Sequence, residues 1–370
     1  MKSKTAVFPF DMEACPLIRH SNLLQDYDIS SLVSPKGWGF TGKDAGCADQ
    51  GSDIGMMVES DFDKALEQSD TILFTDACND IDQEALLYPR MIKAAEGSKN
   101  ILYTIQLEDR LEEKIRNICR CKGTTFHYWG KKRGQIHRPA SEMIYPINVP
   151  VVFVLGLAER TNKFEIQLAL RENFQKMQYK VSQIGTRHYC ELMGFHSFPE
   201  FMYHPAVPEH EKVVLFNHYV KNLEIKEDPD IILIGIPGGM MPFNRKFTNK
   251  FGILAYEVSQ AVLPDAVVLG TLYDTCTPEY FDFLSTSAKY KLGYAVDCYN
   301  MGSVGLDWQL SNVEKQLSYI MTDWKFINEK KQQYNHLKTP VYNVLDPKDA
   351  CDMANFLLGR LEAYSENKIV

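Results

Sequence analysis

The segment Val151–Lys163, VVFVLGLAERTNK, has the residue types of a phosphate-binding loop. An apolar run leads to Gly156, a polar loop follows, and a helical pattern begins at about Lys163. Between a strand and a helix, backbone N–H groups and the helix N-terminus hold an anion, and a lysine contacts the outer phosphates. We therefore take Gly156, Arg160 and Lys163 as candidate cofactor-binding residues.

The segment departs from the usual pattern G-x-x-x-x-G-K-[ST] in three ways. Lys163 stands seven residues after Gly156 instead of six, Asn162 occupies the second glycine position, and Phe164 replaces the hydroxyl residue that holds Mg²⁺. The motif is thus degenerate. ATP with Mg²⁺ is a candidate cofactor, and its identity stays open. Another polar ligand, or a plain strand-to-helix turn, would also account for the segment.

A second glycine-containing segment, Asp230–Gly239, ends the apolar run IILIG with the pair Gly238 and Gly239. Glycine lets backbone approach a ligand closely, and open parallel sheets bind ligands at the carboxyl ends of their strands. Glu159 and Asp274 follow two other predicted strands, so we take them as candidate catalytic acid/base or Mg²⁺ groups. The alternative is that glycine simply ends these strands.

Five charged or polar residues form a candidate substrate-binding set. Asp11 and Arg19 follow the first strand, and Lys43 lies in a glycine-dense loop that could wrap an anion. Arg187 and His188 follow a strand at 180–184 and could contact an anionic ligand. A structured surface loop would equally explain Lys43 and its neighbouring glycines.

Two groups of cysteine and histidine contain the side chains that bind metals. Zinc ligands are usually spaced C-x₂₋₄-C with a second pair, and neither group has that spacing. We therefore predict no metal site, and an enzyme that uses the second group as metal ligands or thiol ranks last. The groups are Cys119, Cys121 and His127, and His188, Cys190 and His196.

Two resemblances bear on the fold and the function. The order of the GLAERTNK loop, the strand YKVSQIGTR and the strand DIILIGIPGG over residues 150–300 is similar to dethiobiotin-synthetase-like P-loop proteins. Four segments also resemble a clostridial family of peptide maturation system proteins, associated with ribosomally made, cysteine-rich peptides: VFPFDMEACPLIRHSNLL, PKGWGFTGKDAG, GLAERTNKFEIQLALRENF and YKVSQIGTRHYCELMGFHSFP. The second resemblance implies a pathway and not a reaction.

Apolar runs alternate with helical patterns along most of the chain, which is typical of parallel sheets covered by helices. We expect an α/β protein with two parallel-sheet domains. These are a flavodoxin- or Rossmann-like domain over 1–135 and a degenerate P-loop-like domain with a C-terminal βα extension over 150–370, joined by a linker at 136–149. The pattern also predicts a strand at 294–297 and a long helix at 314–334.

The chain has 370 residues and a formal net charge of −8. An acidic chain argues against nucleic-acid and membrane partners, and no secretory signal or membrane span is visible. We expect a cytoplasmic accessory protein or enzyme of peptide natural-product maturation that binds a nucleotide or other anion, with a peptide or leader peptide and a maturation enzyme as partners. The alternative is a non-catalytic peptide- or partner-binding module on a nucleotide-binding fold. Whether it is an enzyme stays open.

Overall fold

The computed structural model describes residues 2–77, 82–129, 138–139, 141–274 and 277–367, with side chains described to residue 363. The chain divides into two compact units. The N-terminal unit comprises Met1–Lys132 with Glu191–Gly194, and the C-terminal unit comprises Arg133–Cys190 with Phe195–Val370. The basic stretch at 131–134 and residues 136, 137 and 140 of the predicted linker lie outside the described residues.

In the described part of the N-terminal unit, six parallel strands form one sheet in the order β3-β2-β1-β4-β5-β6. This is the strand order of the Rossmann fold. The strands are β1 (Ser3–Phe8), β2 (Tyr27–Val33), β3 (Val58–Glu59), β4 (Thr71–Phe74), β5 (Asn100–Tyr103) and β6 (Phe126–Tyr128). The helices are α1 (Cys15–Arg19), α2 (Phe62–Gln68), α3 (Gln83–Leu86), α4 (Tyr88–Glu96) and α5 (Asp109–Lys122).

The C-terminal unit contains a larger parallel sheet, in which seven described strands lie in the order β15-β12-β11-β7-β10-β8-β9. A separate antiparallel pair, β13 with β14, follows β12 in the chain. The strands are β7 (Val151–Gly156), β8 (Val181–Gly185), β9 (His196–Ser197), β10 (Ile231–Gly235), β11 (Ala266–Thr271), β12 (Cys298–Met301), β13 (Val304–Leu306), β14 (Tyr319–Met321) and β15 (Val341–Tyr342). The helices are α6 (Lys163–Lys176), α7 (Glu209–Glu227), α8 (Ile253–Ala261), α9 (Pro278–Leu292), α10 (Trp308–Glu314), α11 (Trp324–Lys331) and α12 (Pro347–Asn367).

The central strand β7 explains how the larger sheet is held between helices. Its residues are apolar and buried on both faces, as expected for an interior parallel strand. Phe153 packs into the core covered by α7, α8 and α9, whereas Val154 packs into the core covered by α6 and α12. Burying each such large apolar side chain contributes about 1.5–3 kcal/mol. The predicted fold class, α/β with two parallel sheets, is confirmed.

Two predicted elements of the C-terminal unit are wrong. The long helix at 314–334 is interrupted, because Lys315 has a positive φ of 57° and ends α10, after which 319–321 pair with β13. The strand expected at 294–297 begins instead at Cys298, where pairing with β11 starts.

Segment 141–149 is hydrogen-bonded to α7, because the Tyr145 N–H donates to Asn217 Oδ1 at 2.8 Å.

Candidate functional site

The crevice between β7 and β11 is the topological switch point of the larger sheet. From β7 the chain passes through α6 to β8, which lies on one side of β7. Strand β11 is the neighbour of β7 on the other side, and from it the chain passes through α9 to β12, farther from β7. Helices α6 and α9 cover opposite faces. In open α/β sheets, ligands bind in the crevice at the carboxyl ends of strands that diverge in this way. The loop 157–162 therefore lies where the fold favours a ligand.

The backbone of this loop is shaped to receive an anion. Arg160 and Asn162 have positive φ angles of 59° and 55°, with residues of ordinary φ between and after them. Such alternation turns successive N–H groups toward one side and forms an anion-binding concavity. Asn162 is the N-cap of α6, yet its side chain makes no capping hydrogen bond. The first N–H groups of an α-helix have no intrahelical partner, and the helix dipole adds positive potential there.

Lys163 begins α6 and is buried, with 8% of its surface exposed. Its Nζ donates to the carbonyl oxygens of Ala158, at 2.7 Å, and Gly238. The ammonium thus joins the loop 157–162 to the Gly238–Gly239 turn, and two candidate cofactor-binding segments meet at one atom. Burial lowers the pKa of Lys163 to about 8, Glu159 opposes this shift, and the positive charges of Arg187 and Lys250 reinforce it.

Glycine is required where the strand ends approach the loop. Gly156 pairs in register with Gly270 on β11. A Cβ on Gly270 would lie 2.5 Å from the Thr161 carbonyl oxygen, and one on Gly156 would lie 2.9 Å from Lys163 Cδ. Real Cβ atoms essentially never come closer than 3.0 Å to such neighbours, so both positions exclude larger residues. Gly156 accordingly shapes the loop through close packing.

A left-handed turn at residues 249–252 lies against the same loop. The φ angles of Asn249, Lys250, Phe251 and Gly252 are 49°, 53°, 57° and 67°. Asn249 Nδ2 donates to the Leu157 and Met241 carbonyl oxygens at 2.7 and 2.9 Å. Left-handed backbone is unfavourable for non-glycine residues and is often found at functional sites.

The turn at 249–252 was not predicted, although the sequence contains a signal for it. The tetrapeptide TNKF occurs at both 161–164, where its last two residues begin α6, and 248–251, shortly before α8. In both copies the asparagine adopts a positive φ. Asparagine is one of the few residues that tolerate this conformation, so the repeated TNKF could have indicated two similar turns.

Phe164 fills the position at which a phosphate-binding loop would offer its Mg²⁺ hydroxyl. Its side chain is buried and its ring lies 6.0 Å from the ring of Tyr189. The guanidinium carbon of Arg187 lies 5.8 Å from the centre of the Phe164 ring. Arg187 is therefore placed beside the loop, whereas the neighbouring His188 is exposed, with its ring 5.5 Å from that of Tyr189.

The two candidate catalytic acids occupy different surroundings. Glu159 is 58% exposed, and its Oε1 lies 3.5 Å from Nζ of Lys250, itself 86% exposed. Asp274 is exposed, and its Oδ2 accepts a hydrogen bond from the Leu306 N–H at 3.0 Å, which anchors β13. The guanidinium carbon of Arg160 lies 5.1 Å from the centre of the Tyr319 ring.

The candidate residues of the N-terminal unit make internal contacts. Arg19 pairs with Asp49 through two bonds of 2.7 and 3.1 Å and also donates to the Ser52 carbonyl oxygen at 2.8 Å. Asp11 Oδ1 accepts from the Glu13 N–H at 2.8 Å. The Lys43 side chain is exposed, and the backbone N–H of Lys43 donates to the Phe40 carbonyl oxygen. Arg19 thus acts as a loop brace, a role that sequence spacing did not indicate.

Over the described residues, no group of three or more histidine, cysteine, aspartate or glutamate side chains is arranged to hold a metal ion. The part of the chain that the structure covers also contains no helix long and apolar enough to cross a membrane.

Comparison with solved structures finds the same fold elsewhere. The chain is similar to a DUF1611 family protein from Anabaena variabilis, at a TM-score of 0.60 and 11% identity, with 97% of this chain and 100% of that chain covered. At this identity the similarity shows the fold alone.

Weaker similarities cover smaller shares. A GTPase in apo form from Pyrococcus abyssi matches at a TM-score of 0.27 and 16% identity, over 56% of this chain and 84% of that one. An amine dehydrogenase from Mycobacterium smegmatis matches at a TM-score of 0.27 and 18% identity, over 34% and 38%. No protein-family model and no curated protein matches the chain.

Proposed function

We propose that the C-terminal unit binds a nucleotide or another phosphate-bearing anion at the loop 157–163. The observation that carries this proposal is the buried ammonium of Lys163, held between the Ala158 and Gly238 carbonyl oxygens at the start of α6. Burying a cation is costly when carbonyl oxygens are its hydrogen-bond acceptors, and a phosphate in the concavity would add a full negative charge beside it. The other cofactor-binding candidates, Gly156, Arg160, Gly238 and Gly239, would shape this site.

A thermal-shift titration of the full chain with ADP and with pyrophosphate tests the proposal. A ligand that binds only the folded protein raises its Tm as the ligand concentration exceeds Kd. Lys163→Met should abolish the shift. Lys212→Met is the matched control, because Lys212 is also a buried lysine of this unit but lies on α7 near Glu209 and Glu257. Equal ligand shifts in the two variants, each measured from its own baseline, would contradict the role of Lys163.

We further propose that the anion-binding unit serves peptide natural-product maturation, as the four resembling sequence segments suggest. A peptide or leader peptide and a maturation enzyme would then be the partners, and Asp11, Arg19, Lys43, Arg187 and His188 the substrate-binding candidates. Glu159 and Asp274 would be the acid/base groups of an enzyme. Fluorescence anisotropy with labelled peptides encoded near the gene would test this role, and failure to bind any of them would count against it.

One observation favours a non-catalytic binding module instead. Phe164, buried where a hydrolysing loop carries its metal-binding hydroxyl, argues for binding without turnover. Peptide binding that is independent of nucleotide, together with no release of phosphate from ATP over hours, would support the module. Phosphate release that Lys163→Met abolishes would support an enzyme.

A further inference from the structure

The first turn of α6 lacks what a nucleotide-hydrolysing loop uses to hold Mg²⁺. In such loops a Ser or Thr hydroxyl directly after the lysine ligates the metal. Here the buried ring of Phe164 takes that position, packed edge-on by Tyr189. The hydroxyl of Thr161, two residues before Lys163, donates to the Ala158 carbonyl oxygen at 3.1 Å. Neither residue presents a metal ligand to the crevice.

The two candidate catalytic carboxylates, Glu159 and Asp274, do not compensate. Mg²⁺ in proteins is usually held by one or two carboxylates together with phosphate oxygens and water. Strand β10 lies beside β7 and ends at Gly235. Ile236 and Pro237 follow it, so no acidic residue stands directly after the strand. Glu159 faces Lys250, and Asp274 accepts the Leu306 N–H. The positions that hold Mg²⁺ in a hydrolysing loop, namely the residue after the lysine and the end of the neighbouring strand, therefore do not fit a resident Mg²⁺ ion.

Two further cations, Arg187 and Lys250, lie near enough to Lys163 for their charges to act on it. The Arg187 guanidinium lies over the Phe164 ring, which supports it by a cation–π contact at 5.8 Å. Lys250 belongs to the left-handed turn at 249–252, and the positive charges of Arg187 and Lys250 add to the burial that lowers the pKa of Lys163. Arginine binds phosphate through two parallel N–H donors, which gives it geometric as well as electrostatic complementarity.

We propose that the loop 157–163 binds its ligand as the metal-free phosphate or diphosphate, with the Arg187 guanidinium over Phe164 supplying the positive charge that Mg²⁺ supplies in hydrolysing loops. This inference rests on the proposed function, because it concerns the same site. It narrows the ligand to phosphate-bearing molecules whose charge the protein itself neutralises.

Isothermal titration calorimetry with ADP, in EDTA and in excess Mg²⁺, tests the inference on the full chain. ADP should bind in EDTA, and Mg²⁺ should weaken its apparent affinity, because the metal withdraws the free form that the site prefers. Arg187→Gln should weaken binding in EDTA by about ten- to a hundredfold, since one charged contact to the phosphate is lost. Arg187→Lys should restore part of that loss.

The control is Arg360→Gln, which removes an arginine of the same unit that pairs with Asp297 on another element. It should leave ADP affinity unchanged, and circular dichroism checks that each variant folds. Affinity that Mg²⁺ strengthens, or that Arg187→Gln leaves unaltered, would overturn the metal-free inference while ADP binding itself upholds the proposed function. No binding of ADP or pyrophosphate under either condition would overturn both.

Discussion

The two units share an architecture but use the crevices at their switch points differently. In each, a first strand at the centre of a parallel sheet is followed by a loop and a helix. After β1 the charge of Arg19 is neutralised by an ion pair with Asp49, and α1 has only five residues. After β7 a fourteen-residue helix begins at a buried lysine beside further cations.

The difference teaches that the sheet supplies only a place for a ligand. The residues of the loop decide whether that place is closed by internal pairs or left ready for an anion. In the N-terminal unit, Arg19 after β1 pairs with Asp49, and Asp44 in the loop between β2 and β3 accepts the backbone N–H groups of Gly46, Ile54 and Gly55. In the C-terminal unit, the loop after β7 leads to the buried ammonium of Lys163, on which the positive charges of Arg187 and Lys250 act.

The largest expected effect comes from removing the Arg19–Asp49 ion pair of the N-terminal unit. Arg19→Ala removes the cation that pairs with Asp49, whose side chain is 6% exposed and which still accepts the Gly51 N–H. We expect the free energy of unfolding to fall by about 3 kcal/mol in urea denaturation, with ADP affinity unchanged. Arg110→Ala, at an exposed position, is the control and should change stability by less than about 0.5 kcal/mol. A loss of ADP affinity in Arg19→Ala would show that Arg19 contributes to ADP binding, so that the loops after β1 and β7 do not differ in this respect.

The second effect concerns Gly156, whose backbone lies close to the loop 157–163. Gly156→Ala places a Cβ 2.8 Å from the Ala158 carbonyl oxygen and displaces Lys163. We expect a loss of about 2 kcal/mol in stability, measured by denaturation, together with weaker ADP binding. Gly359→Ala on α12 is the matched control, because its Cβ would meet nothing within 4 Å, and it should stabilise by roughly 0.5–1 kcal/mol.

The pH dependence of anion binding sharpens the comparison further. Lys163 has a pKa lowered to about 8, so in the free protein the ammonium loses its proton as the pH rises through 8. Affinity for ADP should be constant below that pH and fall above it by up to about tenfold per pH unit. Calorimetry from pH 6.5 to 9.5 measures the profile. Lys163→Met should bind weakly with a flat profile, and a falling profile in that variant would assign the titration to another group.

The same lowered pKa has a consequence for stability. A lysine in the unfolded chain has an ordinary pKa of 10.5, so between about pH 8 and 10.5 the unfolded chain binds more protons than the folded one. The free energy of unfolding should therefore rise with pH in that window through this residue. Denaturation of the wild type and of Lys163→Met across the window isolates the contribution.

The smallest effect contrasts two helix N-termini. The Asp61 side chain accepts from the Asp63 and Lys64 N–H groups and caps α2, so Asp61→Ala should cost about 1 kcal/mol. Asn162 makes no such bond and has a positive φ, so Asn162→Gly should change stability by less than about 0.5 kcal/mol. Thermal denaturation of both variants measures the difference. An equal cost would mean that Asn162 caps α6 in solution.

The sequence predicts the sheets better than the site. Apolar runs such as 151–155, 231–234 and 266–269 identify buried parallel strands, because both faces of these strands are covered. The strand β2 went unrecognised, since its sequence, YDISSLV, mixes polar and apolar residues. The interruption at Lys315 depends on the backbone conformation of one residue, which the helical pattern of its neighbours conceals.

Within the site, Lys163 is marked by its spacing from Gly156, even though the spacing is irregular. The Arg187–Phe164 contact joins residues on different elements, so no local pattern reveals it. Asn249 bonds to Leu157 across a separation of 92 residues. The bracing role of Arg19 was not predicted for a related reason, because its partner Asp49 lies 30 residues away.

The position of α12 has a consequence for how the protein is made. Met353, Leu357 and Leu361 of this helix fill the core on the α6 face, against the central strand residues Val152 and Val154. During synthesis, the strands β7 to β12 therefore leave the ribosome with one face covered by α6 but not yet by α12. Exposed apolar sheet surface of this kind favours aggregation. The C-terminal unit completes its core only after residue 361 has been translated, so a chain arrested earlier should depend on chaperones to stay unaggregated.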